Sequence, residues 1–295
     1  MRLLQQIGPL RTYLRGIREE GKTIGFIPTM GALHEGHMTL IRRAKNDCDL
    51  VVVSIFVNPT QFGPGEDLDA YPRTLTQDQQ LTSGEGVDAL FLPGVEEMYP
   101  NGFQTSVNVS ELGSALEGAV RPHHFGGVAT IVAKLLNIVQ PDRAYFGQKD
   151  YQQFLIIERM ARDLNFTSDI VMIPTVRESD GLALSSRNAY LTPEERQAAP
   201  ILHRVLKQAG EMLAQGEQDA SRIRSALEKT LAQEPLLSPE YIALVHPDTL
   251  QPVETLEQGV TLVALAARLG KTRLIDNALI APPGVSITRN RHGKA

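Results

Sequence analysis

Cysteine is all but absent from this chain. Cys48 stands alone among 295 residues, so no intrachain disulfide can form. It lies beside the apolar stretch 50–57 and reads as a small core-side residue of a reducing compartment. Met1-Arg2-Leu3-Leu4-Gln5-Gln6 lacks the apolar core of a secretory signal. No run approaches the ~18 apolar residues needed to span a bilayer. A cytoplasmic protein with no membrane partner is therefore expected. Positive charge is also in short supply: 29 Lys and Arg face 34 Asp and Glu, for a formal net charge of −5. Gripping a nucleic-acid backbone takes a clustered basic surface, so a general nucleic-acid binder is excluded. There is no internal repeat and no low-complexity tract. Neither a Gly-x-x-x-x-Gly-Lys-Ser/Thr phosphate loop nor a nucleophile elbow in Ser–His–Asp order occurs.

What is present is an ordinary globular composition, 42% apolar and 21% charged. At this length one large or two ordinary domains are expected, burying roughly three quarters of the unfolded surface. Helical spacing covers 9–20, with Leu10, Tyr13, Leu14 and Ile17 on one face and Gly21 as its stop. The apolar runs 23–27 and 50–57 read as buried strands, with a helix between them over 38–46. A polar loop follows over 58–73, long enough to suggest function. Thr74 caps a helix to about Gly84, and 88–92 is a short strand. A helix over 125–139, a strand over 143–146, a helix over 151–164 and a strand over 169–174 complete the alternation. This order predicts an α/β fold, a Rossmann-like parallel sheet with helices on both faces, across 1–175. Ligands of such sheets bind beyond the carboxyl ends of the strands, so the loops after Ile27, Val57, Phe146 and Pro174 should converge.

The pattern changes after Thr175. Thr192-Pro193-Glu194-Glu195 is a helix start with its N-cap, first-turn proline and Glu at the third position. Pro200 bends or interrupts the helix begun there, and Asp219 caps another. Strands are expected over 241–245, 260–267 and 272–277, the last two joined as a hairpin at Leu269-Gly270-Lys271. The segment 176–295 thus reads as a smaller α+β domain closing over the active site, and 281–295 as a frayed tail.

The residues that carry chemistry lie in those loops. Pro28-Thr29-Met30-Gly31-Ala32-Leu33-His34-Glu35-Gly36-His37 joins a strand to a helix. It places two imidazoles and free N–H groups where a phosphate would sit. A zinc pair is the competing reading, but no third ligand is evident nearby. Gly147-Gln148-Lys149-Asp150 sets a lysine at a strand end, facing phosphate or merely paired with Asp150. Leu184-Ser185-Ser186-Arg187-Asn188 is rich in donors and reads as a polyphosphate loop or a linker turn. Asn58, Gln61 and Gln153 are neutral amides suited to the hydroxyls and carboxylate of a small substrate, with Phe62 and Tyr71 able to cover it. Arg121, His123 and His124 form a basic gate or a helix-start turn. His203, His246 and His292 read as structural or solvated. The loops alone leave a nucleotidylyltransferase and a nucleotide-binding regulator open.

Read together, these strings carry a resemblance. His34-Glu35-Gly36-His37 resembles the His-Ile-Gly-His signature of a Rossmann-like nucleotidyltransferase superfamily, and Ser185-Ser186-Arg187 a reduced form of its second phosphate loop. The strings 28–37, 56–62, 71–74, 146–150 and 180–188, in this order, resemble the pantoate–β-alanine ligase family over about 24–277. The resemblance implies ATP-dependent condensation of pantoate with β-alanine through a pantoyl adenylate, with Mg²⁺ entering on ATP, and a homodimer. It implies ATP contacts at Met30, Gly31, Ala32, Leu33, His34, Glu35, Gly36, His37, Gly147, Gln148, Lys149, Asp150, Val176, Leu184, Ser185, Ser186 and Arg187. His34, His37, Lys149, Ser185, Ser186 and Arg187 would act in catalysis, His37 as proton donor. Gln61 and Gln153 would hold pantoate, Gln61 also lying near β-alanine; no residue is assigned as a metal ligand. His123 departs from the family pattern, which has a small residue there.

Overall fold

The computed structural model describes residues 1–257 and 259–287. The end of the expected tail, 288–295 with His292, lies outside the described residues. The chain divides into two compact units: Met1–Val176 with Leu184–Ser186, and Arg177–Ala183 with the residues from Arg187 onward.

The first unit runs β1 (Arg2–Leu4), α1 (Ile7–Glu19), β2 (Ile24–Thr29), α2 (Glu35–Asp47), β3 (Leu50–Ile55), α3 (Leu75–Gly84), β4 (Ala89–Phe91), α4 (Val95–Met98), α5 (Ser110–Ser114), α6 (Glu117–Val120), α7 (His124–Val139), β5 (Arg143–Gly147), α8 (Tyr151–Asp163) and β6 (Asp169–Ile173). The strands form one six-stranded sheet in the order β1-β4-β3-β2-β5-β6. Each pair is parallel, with Ile24 opposite Leu50 and Thr29 opposite Ile55 at the centre. The parallel sheet is the one the alternation predicts.

Phe26, Ile27, Val51, Val52 and Val53 are fully buried. Each such side chain contributes about 1.5–3 kcal/mol. Along a strand successive side chains face opposite ways. Ile27, Val51 and Val53 meet Met38, Ile41 and Ala44 of α2 in one cluster. Gly25 shares that face, and a methyl there would lie 3.2 Å from the Ala44 Cβ, so the missing side chain lets α2 sit close. In this unit five elements differ from the sequence reading in their start, by about a turn, or in their existence. α2 begins at Glu35 rather than Met38, because His34 serves as its cap. β1 is a three-residue strand added at the sheet edge beside β4. α4, α5 and α6 are short turns within a stretch that reads as loop.

The second unit holds α9 (Pro193–Ala198), α10 (Ile201–Ala214), α11 (Ala220–Leu231), β7 (Leu237–Val245), β8 (Thr261–Leu269) and β9 (Thr272–Ile280). The three strands form an antiparallel sheet, β7-β8-β9, the last two joined by a two-residue turn at Gly270-Lys271. Leu202, Val205, Leu206 and Ala209 of α10 and Ile223 and Leu227 of α11 share a core with Leu244, Val263 and Leu265. Thr192 and Glu195 complete the expected capping box, bonding at 3.3 and 2.9 Å, and Pro200 separates α9 from α10. The strap 177–183 is tied to this unit. Both Arg177 guanidinium arms reach Asp276, at 2.6 and 2.9 Å, and Arg196 bridges Glu178 and Asp180 at 2.7 Å each.

Candidate active site

The sheet order reverses direction between β2 and its two neighbours, β3 on one side and β5 on the other. The loops leaving β2 and β5 therefore flank a topological switch point, the place where open α/β sheets take ligands. Residues 30–34 leave β2, and residues 148–150 leave β5.

His34 is the N-cap of α2. Its Nδ1 accepts the Gly36 N–H at 3.2 Å, and the His37 Nδ1 accepts the His34 N–H at 3.2 Å. The two rings lie 4.2 Å apart at 49°. With each Nδ1 accepting, the proton of each neutral ring sits on Nε2, which is left as the donor. The surroundings hold both rings neutral. Burial lowers the His34 pKa, with Lys149 adding to it and Asp150 opposing. Burial likewise pushes His37 down to about 3, helped by His34 and Lys149. Lys149 and Asp150 thus stand within electrostatic reach of both imidazoles, and the Lys149 Nζ lies 3.7 Å from the Asp150 carboxylate.

The expectation of free N–H groups in this loop needs correcting. The Ala32 and Leu33 N–H groups donate to the Asp78 carboxyl at 3.0 and 2.8 Å, and Gly31 N–H to the Thr29 hydroxyl at 3.2 Å. The Gly36 N–H is held by His34 Nδ1, and the His37 N–H by the His34 carbonyl at 2.8 Å. Backbone donors that would cradle a phosphate are engaged within the protein, which leaves the anion to the side chains.

After β3, Asn58 caps a single 3-10 turn, Pro59–Gln61. Asn58 is 1% exposed. Its amide nitrogen donates to Gln61 Oε1 and to the Gly127 carbonyl, each at 3.2 Å; its oxygen accepts from Tyr99 at 2.8 Å and Thr60 at 3.0 Å. Protein partners engage both ends of the Asn58 amide, and through Gln61 Oε1 it orients the Gln61 side chain. Gln61 Nε2 faces the Met30 sulfur at 2.9 Å, a weak acceptor that a better one can replace. The Gln61 carbonyl is gripped by His124 Nδ1 at 2.8 Å and by Arg121 at 3.4 Å, and Arg121 is also paired with Glu66 through two arms. Arg121 and His124 are thus a clamp on the Gln61 turn. His123 makes no side-chain cap bond. Burial first, then Arg121, pushes His124 down to about 4, so it is neutral and its Nδ1 carries the proton given to the carbonyl.

Tyr71 is buried beneath Phe62 in an edge-on ring contact at 6.0 Å, and its hydroxyl stands 3.4 Å from the Ser186 hydroxyl. The covering loop therefore meets the donor-rich loop. Leu184–Ser186 returns to the first unit beside Val176, whose carbonyl accepts the Leu184 N–H at 3.0 Å. Arg187 belongs to the second unit. Gln153 lies on the first turn of α8, partly exposed, while its neighbour Gln152 turns inward to the Leu112 and Ala115 carbonyls at 2.7 Å each.

The sequence reading missed Asp78 and Tyr99, whose partners lie 45 and 41 residues away along the chain. Among the described residues there is no group of three or more His, Cys, Asp or Glu side chains that could hold a metal ion. His203 and His246 lie in the second unit; Asp248 N–H donates to the His246 ring at 3.1 Å. Cys48 is buried, with Sγ 3.6 Å from the Tyr145 hydroxyl, and burial raises its pKa.

Comparison with known proteins gives the family. The family model described as pantoate–β-alanine ligase matches residues 2–279. A pantothenate synthetase of Moorella thermoacetica is 55% identical over 280 residues, covering 95% of this chain and 99% of the relative. One of Agrobacterium fabrum is likewise 55% identical, over 95% of this chain and 96% of its own. The crystal structure of pantothenate synthetase from Thermus thermophilus superposes with a TM-score of 0.91 at 50% identity, over 96% of this chain and 100% of that one. A pantoate–β-alanine ligase from Francisella tularensis, solved with β,γ-ATP and β-alanine, gives 0.79 at 36% identity, over 95% of this chain and 97% of that one. On sequence and fold alike, the chain belongs to the pantoate–β-alanine ligase family, a family of ligases.

Proposed function

We propose that this enzyme joins (R)-pantoate to β-alanine in two steps, with ATP as co-substrate, and so makes pantothenate. In the first, a pantoate carboxylate oxygen attacks the α-phosphorus of Mg-ATP. The bond from that phosphorus to its bridging oxygen breaks, and pyrophosphate leaves. In the second, the β-alanine amine attacks the acyl carbon of pantoyl adenylate, loses a proton, and AMP leaves. Mg²⁺ comes with ATP as part of the substrate; the ion characteristically keeps phosphate and water as most of its ligands.

The observation that carries this reading is the pair of neutral imidazoles with both Nδ1 atoms occupied, beside Lys149. Two fixed Nε2–H donors and one ammonium suit charge that grows on phosphate oxygens in the transition state. No side-chain nucleophile is required, because the substrate carboxylate attacks by itself and the protein supplies position. Gln61 and Gln153 hold pantoate, with Gln61 also near the incoming β-alanine. Residues 30–37, 147–150 and Val176 line the ATP site, and Leu184–Arg187 closes on its phosphates, keeping water from the acyl adenylate. A nucleotidylyltransferase would leave its nucleotide on the product, and a regulator would not turn over.

The test is release of pyrophosphate and AMP from Mg-ATP and pantoate, with and without β-alanine. Pantoate-dependent pyrophosphate in both mixtures, but steady AMP only with β-alanine, is the expected result. Absence of pantoate-dependent pyrophosphate defeats the reading. In single turnover, Lys149→Ala should slow pyrophosphate release by about 10²-fold, as removal of one transition-state donor does.

A further inference from the structure

Two consecutive residues of the loop that follows β2 lie in the left-handed region, Gly31 at φ +85° and Ala32 at φ +51°. Glycine accepts this freely, whereas alanine rarely rests there because its Cβ crowds the neighbouring carbonyl. The turn is held from outside by a side chain from α3. Asp78 is 1% exposed, and its two carboxyl oxygens divide the work. Oδ2 accepts the Ala32 N–H at 3.0 Å. Oδ1 accepts the Leu33 N–H at 2.8 Å and the Thr74 hydroxyl at 3.2 Å. The packing is close: a methyl on Gly31 would lie 3.1 Å from Asp78 Oδ2 and 3.0 Å from Ile55 Cγ2.

Leu33 is followed at once by His34, the cap of α2. The direction in which the chain leaves the Ala32 turn therefore sets where the His34 ring sits, and through the His34 N–H it sets the His37 ring too. We propose that Asp78 is a positioning residue for ATP: by clamping the Ala32 and Leu33 N–H groups it holds the left-handed turn and aims the His34 and His37 Nε2–H donors. The clamp also takes up two backbone donors, so a bound phosphate meets side-chain donors instead. This role rests on the reading that those imidazoles meet the ATP phosphates.

The test compares wild type, Asp78→Asn and the pair Asp78→Asn with Ala32→Gly, following pantoate-dependent pyrophosphate release while ATP and pantoate are varied separately. In Asp78→Asn one backbone N–H faces an amide NH₂ in place of an acceptor. Its kcat/KM for ATP should fall by about 10²-fold, the cost of misplacing reacting groups by an ångström. Its pantoate KM should stay within about twofold of wild type, since uniform loss of fold would move both. Adding Ala32→Gly should recover part of the loss, because glycine takes the turn without the clamp. An unchanged kcat/KM for ATP, or ATP and pantoate parameters that deteriorate together, overturns the proposal. If Asp78→Asn does not fold, amide exchange in the wild-type protein decides. Slow exchange at Ala32 and Leu33 is expected, and exchange at open-loop rates overturns the clamp. A wild type that releases no pantoate-dependent pyrophosphate defeats the ligase reading instead, and amide exchange then judges the clamp alone.

Discussion

A histidine that caps a helix uses one nitrogen on the backbone and keeps the other for a ligand. His34 and His37 both do this, each through Nδ1. The division of labour separates structure from chemistry in a way that mutation can resolve. An asparagine oxygen at position 37 can accept the His34 N–H in place of Nδ1, but nothing then donates where Nε2 stood. His37→Asn should therefore keep most of the thermal stability while slowing adenylate formation by about 10²-fold or more. His37→Ala should lose both. A His37→Asn enzyme with a near-normal single-turnover rate would remove His37 from the chemistry. The pair was legible in the sequence because two histidines three apart, after a glycine turn, form an unusual local string. Asp78 was not: in sequence it is an ordinary first-turn acid of a polar helix, and its partners become visible only once α3 is packed against the loop after β2.

Elements were legible to the extent that their pattern is local. β2 and β3 announce themselves as β-branched and apolar runs, and α7 by its helical spacing. The start of α2 was displaced by a turn because His34 is not among the usual capping residues, and β1 is too short to show any period. The glycines of α7 show a subtler limit. Inside a helix a glycine reads as a weakness, yet Gly127 is where α7 touches the turn that carries Gln61. A methyl there would lie 2.4 Å from the Thr60 carbonyl oxygen and 2.7 Å from the Gln61 nitrogen, both backbone atoms with nowhere cheap to go. Gly127→Ala should push the Pro59–Gln61 turn aside and cost about 1–3 kcal/mol by overpacking. Its pantoate KM should rise while its ATP KM holds. Steady-state kinetics and urea unfolding check both parts, and an unmoved pantoate KM would break the link between α7 and substrate recognition.

Over the whole molecule, buried neutral histidines make stability depend on acid. His37 and His124 titrate near 3 and 4 in the fold, against about 6.5 when unfolded. Between those values the unfolded chain binds protons that the native one refuses, so unfolding gains ground as pH falls. Stability of the unliganded protein should be level above about pH 7 and decline from about 6.5 toward 4, with up to about two extra protons taken up on unfolding. Urea midpoints at pH 7, 6 and 5 measure this directly. The double variant His37→Asn, His124→Asn should flatten the slope, and an unaltered slope would mean that other groups set it. The sequence reading draws a single boundary after Thr175, whereas the chain leaves the first unit after Val176 and returns to it at Leu184–Ser186, a return carried by contacts such as that from Leu184 to Val176 that no local pattern shows.

That return has a consequence for how such a protein can be cut. The chain passes between its units at Val176, at Ala183 and again at Ser186. A gene fragment ending at Val176 would encode both imidazoles and Lys149 but omit Ser185 and Ser186, and the remainder would carry those serines away from the sheet they belong to. Neither half is a cassette. A cut at the apparent boundary would therefore yield two incomplete parts, each missing residues that pack in the other.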